Sequence, residues 1–429
     1  MNLLSLSWKN LRFKPLNTFL SVLLFALGVG LVSLLFITQN QLEKNFEKNL
    51  AGIDLVIGAK GSPLQLILSS MYHLDAPTGN ISIQEIRPFL NPKHPLIDQV
   101  VPLSLGDSHQ GYRMVGATPN MLDFYEAKIA VGNIWAQNME VVLGANVASD
   151  LGLQLGDVFS SSHGFMEDEN LAHDDSKFTV VGILERNGSV LDQLILTTNQ
   201  SYWLVHEHKA SPSVAAAEDH SDHDHDNHAG HEHDHSPKLK PLLEEDGEKD
   251  LTALLVKFKG RNFQSLNMQR SINENTDMQA ATPAIEINRL YELMGTGEQA
   301  LRVLALVIIL VSGLSIFISL FTSLKERRYE LALMRVQGAS QGKLFLLIVL
   351  EGLLLALLGY IGGMLLSHGG MYVLANKLKD DYGYDFSAWT FLPQEAYLFI
   401  GAIVLGVVAA VIPATQAANT DIADTLTGE

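Results

Sequence analysis

The densest group of side chains able to bind a metal lies between residues 220 and 235, where histidines alternate with carboxylates. The histidines are His220, His223, His225, His228, His231, His233 and His235. Imidazole nitrogens beside carboxylate oxygens are ligands for Zn²⁺ and similar borderline ions. The HEHDH run at 231–235 lacks the His-Glu-x-x-His spacing of a catalytic zinc helix, so the tract predicts metal binding rather than hydrolysis. The alternative is a solvated acidic loop whose histidines are incidental.

A second group of charged residues, at 325–340, carries both signs in the segment KERRYELALMRVQGAS. Helical spacing places Tyr329, Leu333 and Val336 along one face and the charged residues on the others. This pattern predicts a short amphipathic helix at a membrane surface. A mixed-charge helix with an apolar ridge suits a groove in a partner protein. The alternative is a basic clamp that only fixes the topology of the chain.

Glu351 is the one charged residue inside the apolar run 344–367. A charge at the centre of a bilayer costs about 2.5–3.5 kcal/mol on insertion scales, so this carboxyl should be neutral, paired or turned into a helix bundle. A structural role, bonding a neighbouring helix or capping the connecting helix, is favoured over proton or substrate handling. Gly359, Gly362 and Gly363 further along the run indicate close helix packing, with a hinge as the alternative.

Other reactive constellations are weak, and no catalytic or cofactor-binding residue is assigned. The segment GASQGKL at 338–344 has one residue too few between its glycines for a phosphate-binding loop, and Leu replaces the Ser/Thr. ATP hydrolysis is therefore expected from a separate subunit. The absence of cysteine excludes disulfides, thiolate metal sites and cysteine nucleophiles. His73 and His368 are interpreted as satisfied interface residues rather than ligands.

Four apolar runs must position these residues, in a chain that is 47% hydrophobic and only 18% charged. The runs are 17–38, 303–324, 344–367 and 396–414. Each is long enough to cross a hydrocarbon core of roughly 30 Å as a helix, which is the form expected where lipid offers no partner for backbone groups. The first run is too long for a signal peptide, so it is interpreted as an uncleaved anchor.

Basic residues predict how these helices are oriented. Segment 1–16 contains Lys9, Arg12 and Lys14 without an acid, and the connection 325–343 is also rich in Lys and Arg. Both are expected in the cytoplasm. Alternation across the membrane then places 39–302 and the connection 368–395 outside and the tail 415–429 inside.

The segment 39–302 is predicted to be one large α+β domain that begins and ends in stalk helices. Leu42, Phe46 and Leu50 recur every fourth residue, and a matching helix is expected at 287–300. Short β-branched or aliphatic runs predict strands at 54–57, 99–105, 112–116, 140–143, 177–184, 193–197 and 251–258. Short helices are predicted at 82–90, 146–151 and 261–274. The apolar run 64–71 predicts either a lipid- or partner-facing lip or a buried helix.

An acidic insertion at 206–250 accounts for half of the formal net charge of −18. It holds 13 Asp/Glu against 4 Lys/Arg, and its lack of apolar residues around the histidine tract predicts a disordered segment. The rest of the chain is only mildly acidic. Since the sequence has no basic face of the size that a nucleic-acid backbone requires, nucleic-acid binding is excluded as a function.

The segment 325–340 resembles the cytoplasmic connection of MacB/FtsX-type ABC transporter permeases. The matching positions are Glu326, Arg327, Glu330, Arg335, Gly338, Ala339 and Ser340. The stretches 139–157 and 178–196 resemble the MacB-like periplasmic core domain, and Glu351 with the glycines after it fits the FtsX-like permease domain. The His-rich tract departs from the family pattern.

This resemblance implies a multi-pass protein of the bacterial inner membrane that transmits ATP-driven motion to a periplasmic domain. Two ATPase subunits would dock on 325–340, and a second permease copy or a related chain would complete the complex. The cargo would be a periplasmic or membrane-associated molecule, with a periplasmic adaptor, carrier or lipoprotein as a further partner. The rivals are a lipoprotein- or lipid-releasing permease of the same superfamily and a non-transporting signalling scaffold linked to a metal response.

Overall fold

The long apolar runs of the sequence form helices, and the β-branched runs between them form strands. The computed structural model describes residues 3–13, 15–163, 172–207, 239–260, 262–382 and 386–419. The helices are α1 (Leu3–Phe13), α2 (Pro15–Leu50), α3 (Pro63–Ser70), α4 (Ile83–Ile86), α5 (Asn120–Phe124), α6 (Ala145–Leu151), α7 (Asn199–Glu207), α8 (Phe263–Asn275), α9 (Pro283–Glu326), α10 (Arg328–Val336), α11 (Gln341–Tyr382) and α12 (Pro393–Ala418). The strands are β1 (Leu55–Ala59), β2 (Ile81–Ser82), β3 (Ile97–His109), β4 (Tyr112–Gly116), β5 (Ile129–Gly132), β6 (Glu140–Leu143), β7 (Val158–His163), β8 (Ala172–Leu184), β9 (Ile195–Thr197), β10 (Asp250–Leu251), β11 (Ala253–Phe258) and β12 (Met278–Ala281).

Two compact units make up the chain. The first contains Met1–Lys44 and Tyr291–Glu429, and the second contains Asn45–Leu290. In the first unit, α2, α9, α11 and α12 are long and apolar enough to cross a membrane. Each of them includes one of the four predicted apolar runs. The helices α2 and α9 also include the two predicted stalk segments, so each stalk is continuous with a membrane helix.

Small residues let α2 and α11 pack closely. A β-carbon at Gly363 would lie 2.9 Å from the Ala26 carbonyl oxygen and 3.0 Å from the Gly30 nitrogen. A β-carbon at Gly359 would lie 2.5 Å from the ring of Phe25. Such contacts leave no room for a side chain, as is usual where membrane helices meet through small residues. The glycines of α11 therefore serve close helix packing, as predicted.

The connection between the last two membrane helices is shorter than the predicted 368–395. The helix α11 continues to Tyr382, and α12 begins at Pro393. Packing accompanies this longer helix, because Met371 is fully buried beside Ile37 of α2. The first residues of the predicted connection are therefore helical.

The second unit is built on a ten-stranded sheet in the order β12-β1-β11-β3-β4-β9-β6-β8-β5. The strand β7 pairs with both β3 and β8, so six strands close into a ring. Met114, Val141, Phe178 and Ile195 lie in the core on this side. A second core covers β1, β11 and β12, where α8 contributes Ile272. The fold is thus four membrane helices with a large α+β domain inserted between the first and second, which confirms the predicted class.

The structure bears on two local predictions in this unit, those for residues 64–71 and 206–250. The apolar run 64–71 forms α3, whose Leu66 and Ile67 are buried against the sheet, so it is a buried helix rather than a lip. The acidic insertion was predicted to be disordered over 206–250, but residues 239–250 are ordered. Leu242 packs against the core, and Gln200 Nε2 donates to the Lys240 carbonyl at 2.7 Å. The histidine tract at 220–235 lies outside the described residues.

Candidate coupling site

The segment 325–340 forms α10, a nine-residue helix bounded by Arg327 and Gln337. Its inner face is apolar, with Leu331 and Ala332 buried. Leu331 joins a core with Leu344, Leu347 and Ile348 of α11. Further members of that core come from α9 and α12, namely Leu324, Ala414 and Ala417. The helix therefore packs against the ends of three membrane helices, α9, α11 and α12.

The outer face of α10 carries the predicted apolar ridge. Tyr329 is 60% exposed, Leu333 is 43% exposed and Val336 is 58% exposed. A ridge of three large apolar side chains on a helix that is already packed on its other side is a typical groove-binding surface. The sequence predicted this ridge. It did not predict the buried face, because Leu331 and Ala332 lie outside the apolar stripe formed by the ridge residues.

A buried ion pair fixes the start of α10 to α11. Arg327 Nη1 lies 3.2 Å from Glu351 Oε1, and the two side chains are 11% and 2% exposed. The same carboxylate oxygen accepts a hydrogen bond of 2.5 Å from Asn10 Nδ2 of α1. Arg327 Nε also lies 3.2 Å from Glu330 Oε2, whose side chain is 63% exposed. One buried carboxylate thus connects α1, α11 and the α9–α10 junction.

This arrangement explains how Glu351 is tolerated in an apolar helix. A buried charge requires an opposite charge and further hydrogen bonds. Arg327 supplies the charge, and Asn10 supplies one more donor. Both contacts are with neighbouring helices, as expected of a structural role. Asn10 was not predicted, because nothing in the sequence links it to a residue 341 positions later.

Gly338, the glycine of the GAS sequence, forms the C-terminal cap of α10. Gly338 has φ +95°, and the Ala339 N–H donates to the Met334 carbonyl at 2.9 Å. The Gly338 N–H donates to the Arg335 carbonyl at 3.0 Å. This is the Schellman pattern, which requires a left-handed residue just after the helix. Ser340 then begins the next helix, because its carbonyl accepts from the Leu344 N–H at 3.3 Å.

Five of the seven predicted coupling residues fall into two sets, and Glu326 and Arg335 lie in neither. Arg327 and Glu330 join Glu351 in the charged cluster. Gly338, Ala339 and Ser340 form the turn from α10 into α11. Glu326 ends α9, and Arg335 lies in the last turn of α10. The described residues contain no group of three His, Asp or Glu side chains placed to hold a metal.

His73 differs from its prediction as a satisfied interface residue. It is 7% exposed, and neither ring nitrogen has a hydrogen-bond partner among the described residues. Burial, together with the charge of Arg113, lowers the pKa of His73 from its usual 6.5 to about 3. The ring is therefore neutral at physiological pH. Its backbone is left-handed, with φ +52°.

Two family models match the chain. The MacB-like periplasmic core domain matches residues 18–222, and the FtsX-like permease C-terminal domain matches residues 302–422. Together they cover about three quarters of the sequence. The chain belongs to the MacB/FtsX-type ABC transporter permeases. This permease is thus a membrane protein with a periplasmic domain, and the resemblance stated from its sequence is confirmed.

A curated relative is the pyoverdine export ATP-binding/permease protein PvdT of Pseudomonas savastanoi pv. phaseolicola. It is 27% identical over 163 residues, which are 38% of this permease and 24% of the relative. The match therefore spans about a quarter of the relative's length.

Solved structures of periplasmic or extracellular regions are also similar. The periplasmic region of MacB from Actinobacillus actinomycetemcomitans is 12% identical with a TM-score of 0.33, and the match covers 57% of this permease and 96% of that chain. The extracellular domain of the noncanonic ABC-type transporter YknZ from Gram-positive bacteria is 11% identical with a TM-score of 0.29. That match covers 54% of this permease and 99% of the YknZ domain.

Proposed function

We propose that this permease transmits ATP-driven motion across the inner membrane to its periplasmic domain. The observation that carries the proposal is α10, which exposes Tyr329, Leu333 and Val336. Its other face packs on the membrane helices, and the residue just before it, Arg327, is paired with Glu351 of α11. A force applied to the ridge would move α10 and α11 together, because Leu331 and the Arg327–Glu351 pair connect them.

ATP hydrolysis in this proposal takes place in a separate ABC ATPase subunit. Two such subunits dock on the α10 ridges of two permease chains, which are two copies of this chain or one copy with a related partner. Closure of the ATPase pair pushes α10. The long helices α2 and α9 carry the displacement, since each runs from a membrane-crossing run into the periplasmic domain without a break.

A charge placed on the ridge tests this function. Leu333→Glu puts a carboxylate in the apolar contact, and we expect ATPase activity of the reconstituted complex to lose its stimulation by the permease. Leu266→Glu is the matched control, because Leu266 is 70% exposed on α8 of the other unit. Unchanged stimulation with Leu333→Glu in a complex that still assembles would contradict the proposal, as would ATP turnover by the purified chain alone.

We further propose that the motion supports export or extraction of a periplasmic or membrane-associated molecule, through a periplasmic adaptor, carrier or lipoprotein. The two rivals predict different results in proteoliposomes. A lipoprotein- or lipid-releasing permease would co-purify with its lipid cargo and release it on addition of ATP. A signalling scaffold would move no cargo and would stimulate a bound periplasmic enzyme instead.

The orientation proposed for this permease puts both termini and α10 in the cytoplasm. The basic residues Lys9, Arg12 and Arg328 support it. The chain contains no cysteine, so single substitutions report sidedness directly. An impermeant maleimide added to spheroplasts should label Ser271→Cys on α8 and should leave Ser340→Cys unlabelled until the membrane is opened. The reverse pattern would overturn the orientation.

We also propose that the histidine tract at 220–235 binds Zn²⁺ and buffers or senses it in the periplasm. Seven imidazoles beside carboxylates in so short a segment support binding through many alternative ligand sets. Deletion of 218–236 should abolish most Zn²⁺ uptake by the purified chain in calorimetry and should change any metal-dependent activity of the complex. Unchanged metal-dependent activity would argue against a physiological role.

A further inference from the structure

A buried polar cluster lies further along α11 than Glu351. The two positions are about 25 Å apart, since an α-helix rises 1.5 Å per residue. It consists of Ser33 of α2, Ser367 and His368 of α11, and Glu395 of α12. Each of the four is less than 9% exposed. None of them belongs to the coupling site, and the proposed function does not use them.

The environment of His368 determines which ring nitrogen carries a hydrogen. Nδ1 lies 2.7 Å from the carbonyl oxygen of Ala388. A carbonyl oxygen only accepts, so Nδ1 must donate an N–H. In the neutral ring the other nitrogen, Nε2, then carries a lone pair and no hydrogen.

Nε2 faces a carboxylate. It lies 3.4 Å from Glu395 Oε1, and it has no hydrogen-bond partner among the described residues. The same Oε1 accepts from Ser33 Oγ at 3.0 Å, and Ser33 Oγ accepts from Ser367 Oγ at 2.9 Å. Glu395 Oε2 accepts from the Leu392 N–H at 3.2 Å. The carboxylate is thus held in place, with one oxygen turned towards the imidazole.

Two lone pairs facing one another in a buried site repel, and neither can reach water. One proton removes the conflict, whether it sits on the imidazole, which makes a His⁺–carboxylate pair, or on the carboxyl, which then donates to Nε2. We propose that His368 and Glu395 form a proton-binding site, and that the bound proton holds the segment 386–392, which precedes α12, against the helix bundle.

The segment 386–392 is held in place by contacts with this cluster and with α2. The His368 ring bonds Ala388 and lies against the rings of Trp389 and Phe391, at centroid distances of 6.4 and 4.7 Å. Gln41 of α2 holds the neighbouring peptide, since Nε2 donates to the Ser387 carbonyl and Oε1 accepts from the Ser387 N–H, both at 2.7 Å. Loss of the proton would make His368 and Glu395 repel each other. Movement of the His368 ring would then break its hydrogen bond to the Ala388 carbonyl.

Among the residues that the structure describes, the other groups facing the site carry no charge. From α2 it is faced by Ser33 and Ile37, and from the connection by Ala388 and Leu392. Tyr360 is a further titratable side chain in contact, and its hydroxyl donates to the Glu395 backbone carbonyl at 3.2 Å. The Tyr360 hydroxyl bonds the backbone of Glu395 and not its carboxylate. Tyr360 therefore does not lie between the His368 imidazole and the Glu395 carboxylate.

Thiol labelling of the full chain in lipid nanodiscs tests the site. Ala388→Cys introduces a buried thiol, since Ala388 is 6% exposed, and Ser387→Cys introduces an exposed one next to it. We divide the maleimide labelling rate of Ala388→Cys by that of Ser387→Cys. This ratio reports exposure of residue 388, because the pH dependence of thiol reactivity affects both rates. We expect this ratio to rise with pH, by up to about tenfold per pH unit once the site titrates, because opening releases one proton.

Glu395→Gln is the matched variant, because its amide supplies an N–H that can donate to His368 Nε2 at every pH. In this background the ratio should stay low and independent of pH. His368→Phe removes the Ala388 bond, so its ratio should be high and independent of pH. A ratio that does not vary with pH in the chain with native His368 and Glu395, or a pH dependence that survives in Glu395→Gln, would overturn the proposal.

Discussion

Glu351 is a single carboxylate whose partners come from two other helices, and its removal should be costly. Glu351→Ala removes the buried partner of Arg327 and leaves only the exposed carboxylate of Glu330, and breaking a buried pair typically destabilises a protein by about 3–5 kcal/mol. We expect a clear drop in thermal stability in detergent and a loss of ATPase stimulation. Glu330→Ala is the control, because that carboxylate pairs with the same guanidinium but is 63% exposed, and exposed pairs contribute about 0–1 kcal/mol. Equal effects of the two variants would contradict this account.

His73 should make the periplasmic domain sensitive to acid. Its pKa is lowered from 6.5 to about 3 by burial, so below about pH 6.5 the unfolded chain binds a proton that the folded chain does not. Stability should therefore fall as the pH falls, by about 1–2 kcal/mol between pH 6.5 and 5. Hydrogen exchange of the β1 and β11 amides in the full chain measures this loss.

The control for His73 is a residue that does not titrate. Asn suits the left-handed backbone at this position, where φ is +52°. His73→Asn should lower stability at neutral pH but show a flatter decline towards acid. An unchanged decline would mean that another group causes the acid sensitivity.

At the scale of one element, Gly338 tests whether the end of α10 matters. A β-carbon there would meet nothing within 4 Å, so Gly338→Ala adds no clash and only strains the backbone at φ +95°. We expect a cost of roughly 1 kcal/mol and weaker ATPase stimulation. Gly342→Ala is the matched control, because Gly342 lies inside α11, also has open space around it, and should be neutral or stabilising. A milder effect at Gly338 than at Gly342 would refute the role of this turn.

Elements with strong periodicity were predictable, and short or polar ones were not. The strands β4 and β6 begin and end where their aliphatic runs do. The strands β5, β7 and β12 were missed because IAVG, VFSSSH and MQAA carry little alternation and owe their form to pairing with neighbours. The extension of α11 past Gly370 was not predictable from the sequence, since it is accompanied by a tertiary contact between Met371 and Ile37.

For the whole molecule, composition and hydropathy were enough to predict four membrane helices and one inserted α+β domain. The amphipathic helix α10 was predictable because its charges and apolar ridge are local in sequence. Its partners were not, since Arg327 meets Glu351 across 24 residues and Asn10 meets it across 341. Long-range pairing of this kind depends on how helices pack, which a single sequence does not specify.

In the proposed function, force enters this permease through α10 and reaches the periplasmic domain. Pulsed electron resonance on the assembled complex, with one spin label at Ser271→Cys of α8 in each permease chain, measures the distance between the two domains directly. We predict that ATP shifts this distance in the parent complex and that Leu333→Glu abolishes the shift while the complex remains assembled. The account would be contradicted if ATP left the distance unchanged in the parent complex, or if ATP still shifted it in the Leu333→Glu complex.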